Sequence, residues 1–379
     1  MNMGETTKDA KGGFRGWGIG FGDPECPIHG PLLPKPETPY PKPETPTPNP
    51  RPVAAVVTAL AVLVCLAVQA PNGWGALSAE AKQAVEKGLD YLAKTQGSDG
   101  SWPDHYGKSP AVVGLAALAF MAHGEMPGRG KYKETLERAI DYILKQSQEN
   151  GLIARPGSQP MYDHGFATLA LAEAYGMSKR KDLEVALLRA VRLIERVQNM
   201  RGGWRYQPRP ADDDVTVTGC QLMALRAARN AGVNVQSLVI RRGVDYIKSC
   251  VCADGGFAYQ PGGSSGKART GIGVLLLQLL GESESALVGK GAEYLAQNPL
   301  RPGETYYYYG LYYCTQAMFQ KGGESWQSWR KEVLETVVST QVADGSWPKQ
   351  GSEGGDTYAV AMAILALEVE WKLLPIYQR

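Results

Sequence analysis

The chain has 379 residues, a formal net charge of +2 and an isoelectric point near 8.1. Its acidic and basic residues are interspersed, whereas nucleic-acid binding calls for a basic stripe or a much higher isoelectric point. The charge therefore gives no support for a nucleic-acid partner. The cysteines are scattered and form no CxxC pair with metal-ligand spacing, so the sequence predicts no metal site and no cofactor. They are Cys26, Cys65, Cys220, Cys250, Cys252 and Cys314.

Residues 1–51 form a leader rich in glycine and proline. Between residues 31 and 52 a proline recurs every two or three positions, and the phrase Lys35–Pro39 returns as Lys42–Pro46. Because proline fixes φ and removes a backbone donor, such a segment cannot build a core and favours an extended polyproline spacer. We therefore expect residues 1–51 to be disordered.

Residues 52–71 are predicted to be a transmembrane signal anchor. The stretch 53–70 contains no charged residue, and its length lies at the short end of membrane-spanning helices. Arg51 precedes it and no charge follows before Glu80, so the positive-inside rule places the N-terminus in the cytoplasm. The sequence thus predicts a single-pass membrane protein whose body, residues 72–379, is extracytoplasmic.

The body repeats one phrase: a short helix ending in glutamine, followed by a glycine turn that an aromatic residue closes. In the first copy the helix starts at Lys87, the glutamine is Gln96, the glycine is Gly100 and the aromatic residue is Trp102. A spacing of roughly 50 residues is typical of helical-pair repeats. The six copies begin at Lys87, Arg138, Arg189, Arg242, Lys290 and Glu335.

A second helix follows each phrase, and it is apolar nearly all round. An all-apolar helix must be buried, whereas the phrase helices are amphipathic, so the pattern predicts an inner and an outer set. An open solenoid would need polar end caps, which the apolar last helix does not provide, so a closed ring is favoured. We predict an all-α fold, an (α/α)6 toroid of six helical hairpins, over residues 72–379. The inner helices are expected to begin near Pro110, Met161, Asp214, Ala268, Tyr306 and Asp356.

The phrase resembles the QW repeat of the squalene-hopene cyclase and oxidosqualene cyclase superfamily. The resemblance covers roughly residues 77–372 and implies the α-α toroid shared by terpene cyclases and protein prenyltransferase β subunits. In that family the glutamine and tryptophan tie one outer helix to its neighbour, which implies structural roles here. The residues concerned are Gln96, Trp102, Gln198, Trp204, Gln341 and Trp347.

Three adjacent carboxylates, Asp212, Asp213 and Asp214, precede the third inner helix. Mutual repulsion lets one of them keep its proton near neutral pH and serve as a general acid. The related cyclases protonate their substrates with an Asp-x-Asp-Asp-Thr motif, which this chain matches incompletely because Ala211 or Val215 stands where an Asp belongs, depending on the register. A cap that satisfies the backbone donors of the helix explains the cluster equally well.

Aromatic residues crowd the start of the fifth inner helix. Tyr306, Tyr309 and Tyr313 fall on one helical face, so they are predicted to line the lumen and stabilise a cation through their rings. Aromatic filling of the core explains the same pattern. Tyr358 occupies the start of the last inner helix and is a further predicted ligand contact.

Two histidines and another carboxylate also occupy predicted rim positions. His164 is a candidate to orient an acid or bind a ligand, or it is simply a residue at a helix start. Asp163 and His105 are candidate ligand contacts because they lie where inner helices begin.

Other toroid families fit less well. Zinc-dependent prenyltransferases need a histidine late in the chain, but none follows His164, and Gly219–Gln221 lacks the thioester motif of complement-type domains. Triterpene cyclases use two helical domains with the substrate between them, whereas the repeats of this sequence predict a single toroid.

Three functions stay open: a cyclase-like toroid that binds, and in one form acts on, a polyisoprenoid or other apolar ligand; an interaction module for an envelope protein; and a carbohydrate-active (α/α)6 enzyme that uses Asp163 and Asp212. Whether the protein is an enzyme is left open; as an enzyme it would resemble a terpene cyclase with an aspartic general acid.

Overall fold

The computed structural model describes residues 78–105, 107–156, 158–350, 355–371 and 373–377. The predicted leader, 1–51, and the predicted anchor, 52–71, lie outside these residues. Within the described part, no helix combines the length and the apolarity needed to cross a bilayer.

The described residues form the predicted all-α toroid, in which outer and inner helices alternate along the chain. The outer helices are α1 (Ala79–Thr95), α3 (Lys133–Lys145), α5 (Lys181–Arg196), α7 (Ser237–Ser249), α9 (Ala286–Gln297) and a sixth that is divided into α11 (Gly323–Trp329), a π-helical turn (Arg330–Leu334) and α12 (Glu335–Ser339). The inner helices are α2 (Pro110–Ala122), α4 (Pro160–Ser178), α6 (Val215–Asn230), α8 (Lys267–Leu279), α10 (Tyr307–Lys321) and α13 (Asp356–Leu367).

The inner helices close a ring. Each packs against the inner helix before it and the one after it, and α13 returns to pack against α2. Every residue of α2 is buried, as its uniformly apolar sequence predicts. The outer helices bury one face only; α5, for example, buries Leu183, Leu187 and Ile194 while most of its charged residues are exposed.

In each well-formed repeat the glutamine joins two neighbouring outer helices, and the tryptophan fastens its loop to the helix before it. Trp102, in the loop after α1, donates its indole N–H to the carbonyl of Leu92 in α1 at 2.8 Å, and Gln96 donates to the carbonyl of Thr135 in α3 at 2.9 Å. The same bond in the last repeat joins Gln341 to the carbonyl of Ala84 in α1, at 2.8 Å, which fastens the end of the ring to its beginning.

At five of the six junctions between repeats, a glycine with positive φ lies against the first residue of the next repeat phrase. Gly202 has a φ of 93°, and a Cβ placed there would lie 2.1 Å from the backbone oxygen of Arg242, the first residue of the next repeat phrase. No side chain fits such a position. Glycines with positive φ lie against the corresponding residue in four further repeats: Gly100, Gly151, Gly255 and Gly345.

A short 3₁₀ turn, Pro375–Tyr377, packs among the C-terminal halves of three inner helices. Glu173 of α4 accepts a hydrogen bond from the backbone N–H of Ile376 at 3.2 Å, and Arg226 of α6 donates to the carbonyl of Ile376 at 3.0 Å. Gln320 of α10 donates to the carbonyl of Tyr377 at 3.1 Å. Burial raises the pKa of Glu173 to about 8.

Candidate functional site

A cavity of about 1260 Å³ opens where the six inner helices begin. Each of these helices places at least one residue in its wall at or near its N-terminus, so the helix starts surround one mouth. Residues from the first turns or the preceding loops include Ser109, Tyr162, Asp163, Thr216, Lys267, Tyr306 and Tyr358.

The wall of this cavity is partly apolar and partly charged. Val112, Leu115 and Phe166 lie within the first two turns of α2 and α4 and form an apolar surface. Charged residues stand nearer the rim, where Lys267 forms an ion pair with Glu304 at 2.6 Å. Arg155 and Arg269 also line the cavity. A long apolar molecule with a polar end would match both parts.

Two of the three adjacent aspartates are held by arginines. Asp213 is fully buried and receives bonds from Arg201 Nε and Nη2 at 2.7 and 2.8 Å and a further one from Asn199. Asp212 is half exposed and pairs with Arg205 at 2.6 Å. Neither aspartate lines the cavity. Such charge-assisted bonds are stronger than bonds between neutral groups, so they hold both carboxylates in place.

Asp214 differs from its neighbours because its main partners are backbone groups and a hydroxyl. It is fully buried and caps α6, since Oδ1 accepts from the N–H groups of Thr216 at 2.9 Å and Val217 at 2.8 Å. Burial raises the pKa of Asp214, and this effect outweighs the lowering by these hydrogen bonds. Arg205 approaches Oδ2 only to 3.7 Å, and Tyr259 interacts with the same carboxyl group.

Hydroxyl groups separate Asp214 from the cavity. The Thr216 hydroxyl donates to Asp214 Oδ1 at 2.5 Å, and the Tyr162 hydroxyl lies 2.6 Å from the Thr216 hydroxyl oxygen. Both Thr216 and Tyr162 line the cavity. Tyr309 donates to the Thr216 carbonyl at 3.3 Å, so it braces the same turn.

Asp163 presents a second carboxylate to the cavity. It is only 3% exposed, and Oδ1 accepts from the backbone N–H of Ala111 at 3.2 Å and from the Ser109 hydroxyl. Its Oδ2 makes no hydrogen bond with the described residues. This oxygen is a buried acceptor in the wall of the cavity without a hydrogen-bond partner among those residues.

The two candidate histidines lie apart from this cavity. His164 is fully buried; its Nδ1 accepts from the Ile153 N–H at 3.1 Å and its Nε2 donates to the Ala190 carbonyl at 3.2 Å. Burial lowers the pKa of His164 to about 4. His105 lines a separate cavity of about 600 Å³, where Asp104 caps α13 by accepting from the Tyr358 N–H at 3.1 Å.

The candidate tyrosines occupy different depths. Tyr306 is 59% exposed at the rim with a φ of 60°, a conformation that bulky residues rarely adopt. Tyr309 and Tyr358 line the cavity, whereas Tyr313 is fully buried behind Tyr309, with ring centroids 4.9 Å apart. The single helical face thus divides into a rim residue, a wall residue and a core residue.

Tyr206 and Tyr259 line the cavity but were not among the predicted site residues. Their hydroxyls are hydrogen bonded to each other, and the Arg205 guanidinium lies 4.9 Å and 5.6 Å from the two ring centres. Each stands two positions after the aromatic residue that closes its repeat, Trp204 or Phe257. This shared repeat position is the signal that could have identified them.

In the part of the chain that the structure describes, no group of three or more His, Cys, Asp or Glu side chains could hold a metal ion.

A closed ring of six helical hairpins with a cavity at its inner helix starts defines an α-α toroid protein. The chain belongs to the prenyltransferase alpha-alpha toroid domain family, whose model matches residues 2–188 and 111–306. It is also 24% identical over 184 residues to drimenyl diphosphate synthase of Streptantibioticus cattleyicolor. That match covers 48% of this chain and 33% of the relative, so the chain matches about a third of its length.

Solved structures of two enzyme classes share the fold. The type II terpene cyclase MstE from Scytonema superposes with a TM-score of 0.57 at 12% identity, over 78% of this chain and 99% of that one. An α-1,6-mannanase from Salegentibacter superposes with a TM-score of 0.59 at 10% identity, over 77% and 99%. At these identities the likeness shows the fold alone.

Proposed function

We propose that this protein is a terpene-cyclase-like toroid that binds an isoprenoid or another ligand with a long apolar chain, and that Asp214 is the acid that acts on it. The proposal is carried by one observation: a fully buried carboxylic acid with a raised pKa stands one hydroxyl away from the wall of a cavity of about 1260 Å³.

The shape and lining of the cavity favour such a ligand. Pockets for drug-sized molecules occupy roughly 300 to 1000 Å³, so this cavity has room for a longer chain. Val112, Leu115 and Phe166 offer the chain an apolar surface, and the rings of Tyr162 and Tyr309 are suited to stabilise positive charge that develops after protonation. Arg155 and Arg269 stand where a polar or anionic end group would lie.

The acid assignment falls on Asp214 rather than Asp213 because their partners differ. Asp213 is fixed by two bonds from Arg201, and Asp212 pairs with Arg205. A general acid must hold a proton at the working pH, and the burial that raises the pKa of Asp214 favours this. When Asp214 gives up its proton, the N–H groups at the start of α6 are in place to stabilise the resulting carboxylate.

The test compares Asp214→Asn with Asp213→Asn in the full chain. Asparagine caps helices as well as aspartate does, so Asp214→Asn should fold normally but has no carboxyl proton to donate. Farnesyl diphosphate and squalene serve as probes in deuterated water, with products analysed by mass spectrometry. We expect the wild type and Asp213→Asn to form a deuterated product. Asp214→Asn should form at least 10²-fold less of it, since general acid catalysis contributes at least that factor to a rate. Undiminished turnover by Asp214→Asn would overturn the assignment.

One observation favours a carbohydrate ligand as the second candidate. Asp163 presents an oxygen without a hydrogen bond beside several tyrosine rings, a surface that also suits a sugar. The carboxylate predicted as its partner, Asp212, does not line the cavity and is held by Arg205. Calorimetry with α-1,6-mannotriose separates the candidates: binding that Asp163→Asn abolishes, without binding of either isoprenoid probe, would replace our proposal. The envelope partner and the membrane anchor stay predictions.

A further inference from the structure

Asp214 is placed too deep to touch a ligand in the cavity. It is fully buried and does not form part of the wall, while Thr216 and Tyr162 do. Oδ1 of Asp214 is enclosed by the backbone N–H groups of Thr216 and Val217 and by the Thr216 hydroxyl. A proton on this carboxyl group therefore needs an intermediate carrier.

The two hydroxyls form an unbroken chain from the carboxyl group to the cavity. The first step, from Asp214 Oδ1 to the Thr216 hydroxyl, is 2.5 Å, and the second, from Thr216 to the Tyr162 hydroxyl, is 2.6 Å. The hydroxyl hydrogens rotate, so the direction of both bonds depends on the charge of Asp214. Beside the ionised carboxylate the Thr216 hydroxyl donates to Oδ1, whereas the protonated acid donates to Thr216, which then donates to Tyr162. Burial holds the pKa of Tyr162 well above its usual value, so the phenol keeps its proton at rest.

We infer that Asp214 protonates the ligand through the hydroxyls of Thr216 and Tyr162, and that Tyr162 is the group that delivers the proton. This role rests on the function proposed above. Tyr162 is then a catalytic residue, because it lines the cavity and would contact the reacting atoms, and Thr216 is a positioning residue that also carries the proton.

The step balances without any further reactant. The π electrons of a ligand double bond form a C–H bond with the Tyr162 proton, and the phenol oxygen takes the proton of Thr216. The Thr216 oxygen in turn takes the proton of Asp214, which is left as a carboxylate, while the ligand is left as a carbocation. The start of α6 stabilises the new negative charge, and the ring of Tyr162 lies beside the positive one.

A second path competes with this one. Tyr259 lies beside Asp214, is hydrogen bonded to Tyr206, and both rings line the cavity. The distances favour the path through Thr216, where two consecutive contacts are 2.5 and 2.6 Å. Tyr259→Phe therefore serves as the matched comparison to Tyr162→Phe, since each removes one phenol oxygen from the wall.

The first test needs no ligand. The full chain is labelled with ¹³C at the tyrosine ring carbon that bears the hydroxyl, and the signal of Tyr162 is assigned by its absence in Tyr162→Phe. We expect this signal to follow the titration of Asp214, to lose that response in Asp214→Asn and Thr216→Val, and to keep it in Thr216→Ser, which retains the hydroxyl. An equal response in Thr216→Val, or none in the wild type, would overturn the inference.

The second test measures turnover of farnesyl diphosphate or squalene, whichever the wild type converts. Tyr162→Phe should lower kcat by about 10²-fold, the lower range for a lost general acid, without changing the dissociation constant of the probe. Thr216→Val should do the same, and Thr216→Ser should restore turnover. Full activity in Tyr162→Phe, or loss only in Tyr259→Phe, would contradict the inference while leaving Asp214 as the acid. If the Tyr162 signal responds to the titration of Asp214 but the wild type converts neither probe, the result would instead count against the proposed function.

Discussion

Glu173 is a buried acid outside the proposed chemistry, and it makes stability depend on pH. Burial raises its pKa to about 8, against 4.5 for an ordinary glutamic acid, and the Ile376 N–H and Arg226 lower it only in part. Because the folded pKa lies above the unfolded one, the contribution of Glu173 to stability is complete below pH 4.5 and is lost as the pH rises through 8.

Glu173→Gln should remove this pH dependence. Glutamine keeps an oxygen to accept the Ile376 N–H but cannot ionise. We expect equal melting temperatures for variant and wild type at pH 5 and a higher one for the variant near pH 9, measured by calorimetry. Glu335→Gln, at an exposed site on α12, is the control. A constant difference between Glu173→Gln and wild type across this range would contradict the argument.

Sequence reasoning at the residue scale separated structural from chemical roles only in part. It placed Asp212, Asp213 and Asp214 at a helix start, but it could not choose among them. The choice depends on Arg201 and Arg205, which approach from the loop before the cluster. His164 shows the same limit, because its backbone partners, at Ile153 and Ala190, become neighbours only in the folded ring.

At the scale of the element, the junctions between repeats demand glycine for two separate reasons. Gly202 has a positive φ and lies where a Cβ would meet the Arg242 carbonyl at 2.1 Å. Gly232 has a nearly equal φ of 96° but no atom within 4 Å of the Cβ position. The pair therefore separates backbone strain from steric conflict with the next repeat.

Gly202→Ala should destabilise the protein more than Gly232→Ala. Backbone strain alone costs about 1 to 2 kcal/mol for a non-glycine residue at positive φ, and both variants share that cost. Only Gly202→Ala must also push α7 away from its neighbour, which we expect to add at least a similar amount. Urea denaturation gives both free energies of unfolding. Equal losses of unfolding free energy would contradict this, because they would show that α7 moves away from residue 202 at no cost.

The elements themselves were largely predictable. The inner helices begin within one residue of the predicted starts because apolar sequence and capping residues act locally, as at Pro110 and Asp214. No such local signal in the sequence marks the π-helical turn at Arg330–Leu334 that divides the last outer helix. Tyr306 also departs from expectation, since a left-handed tyrosine at a helix start is set by the surrounding loop rather than by propensity.

At the scale of the whole molecule, the ring is closed, so the junction between its last and first repeats should contribute to stability as much as any other junction. Gln341 bonds Ala84 at 2.8 Å just as Gln96 bonds Thr135 at 2.9 Å. Replacing either glutamine with alanine should cost about 1 to 2 kcal/mol for the lost hydrogen bonds.

The two variants are compared by urea denaturation. We expect similar losses of free energy, with one cooperative transition for both. A negligible loss in Gln341→Ala beside a clear one in Gln96→Ala would mean that the ring opens in solution between its last and first repeats.

Ring closure also sets the order of events during synthesis. The partners of α1 at the closing junction, α12 and α13, are encoded far downstream, and the bond from Gln341 to Ala84 spans 257 residues. At roughly 5 to 20 residues per second, translation of that stretch takes on the order of 10 to 50 s. For that time the nascent chain holds an uncovered apolar face on α1, so newly made protein should depend on a chaperone until the last hairpin leaves the ribosome.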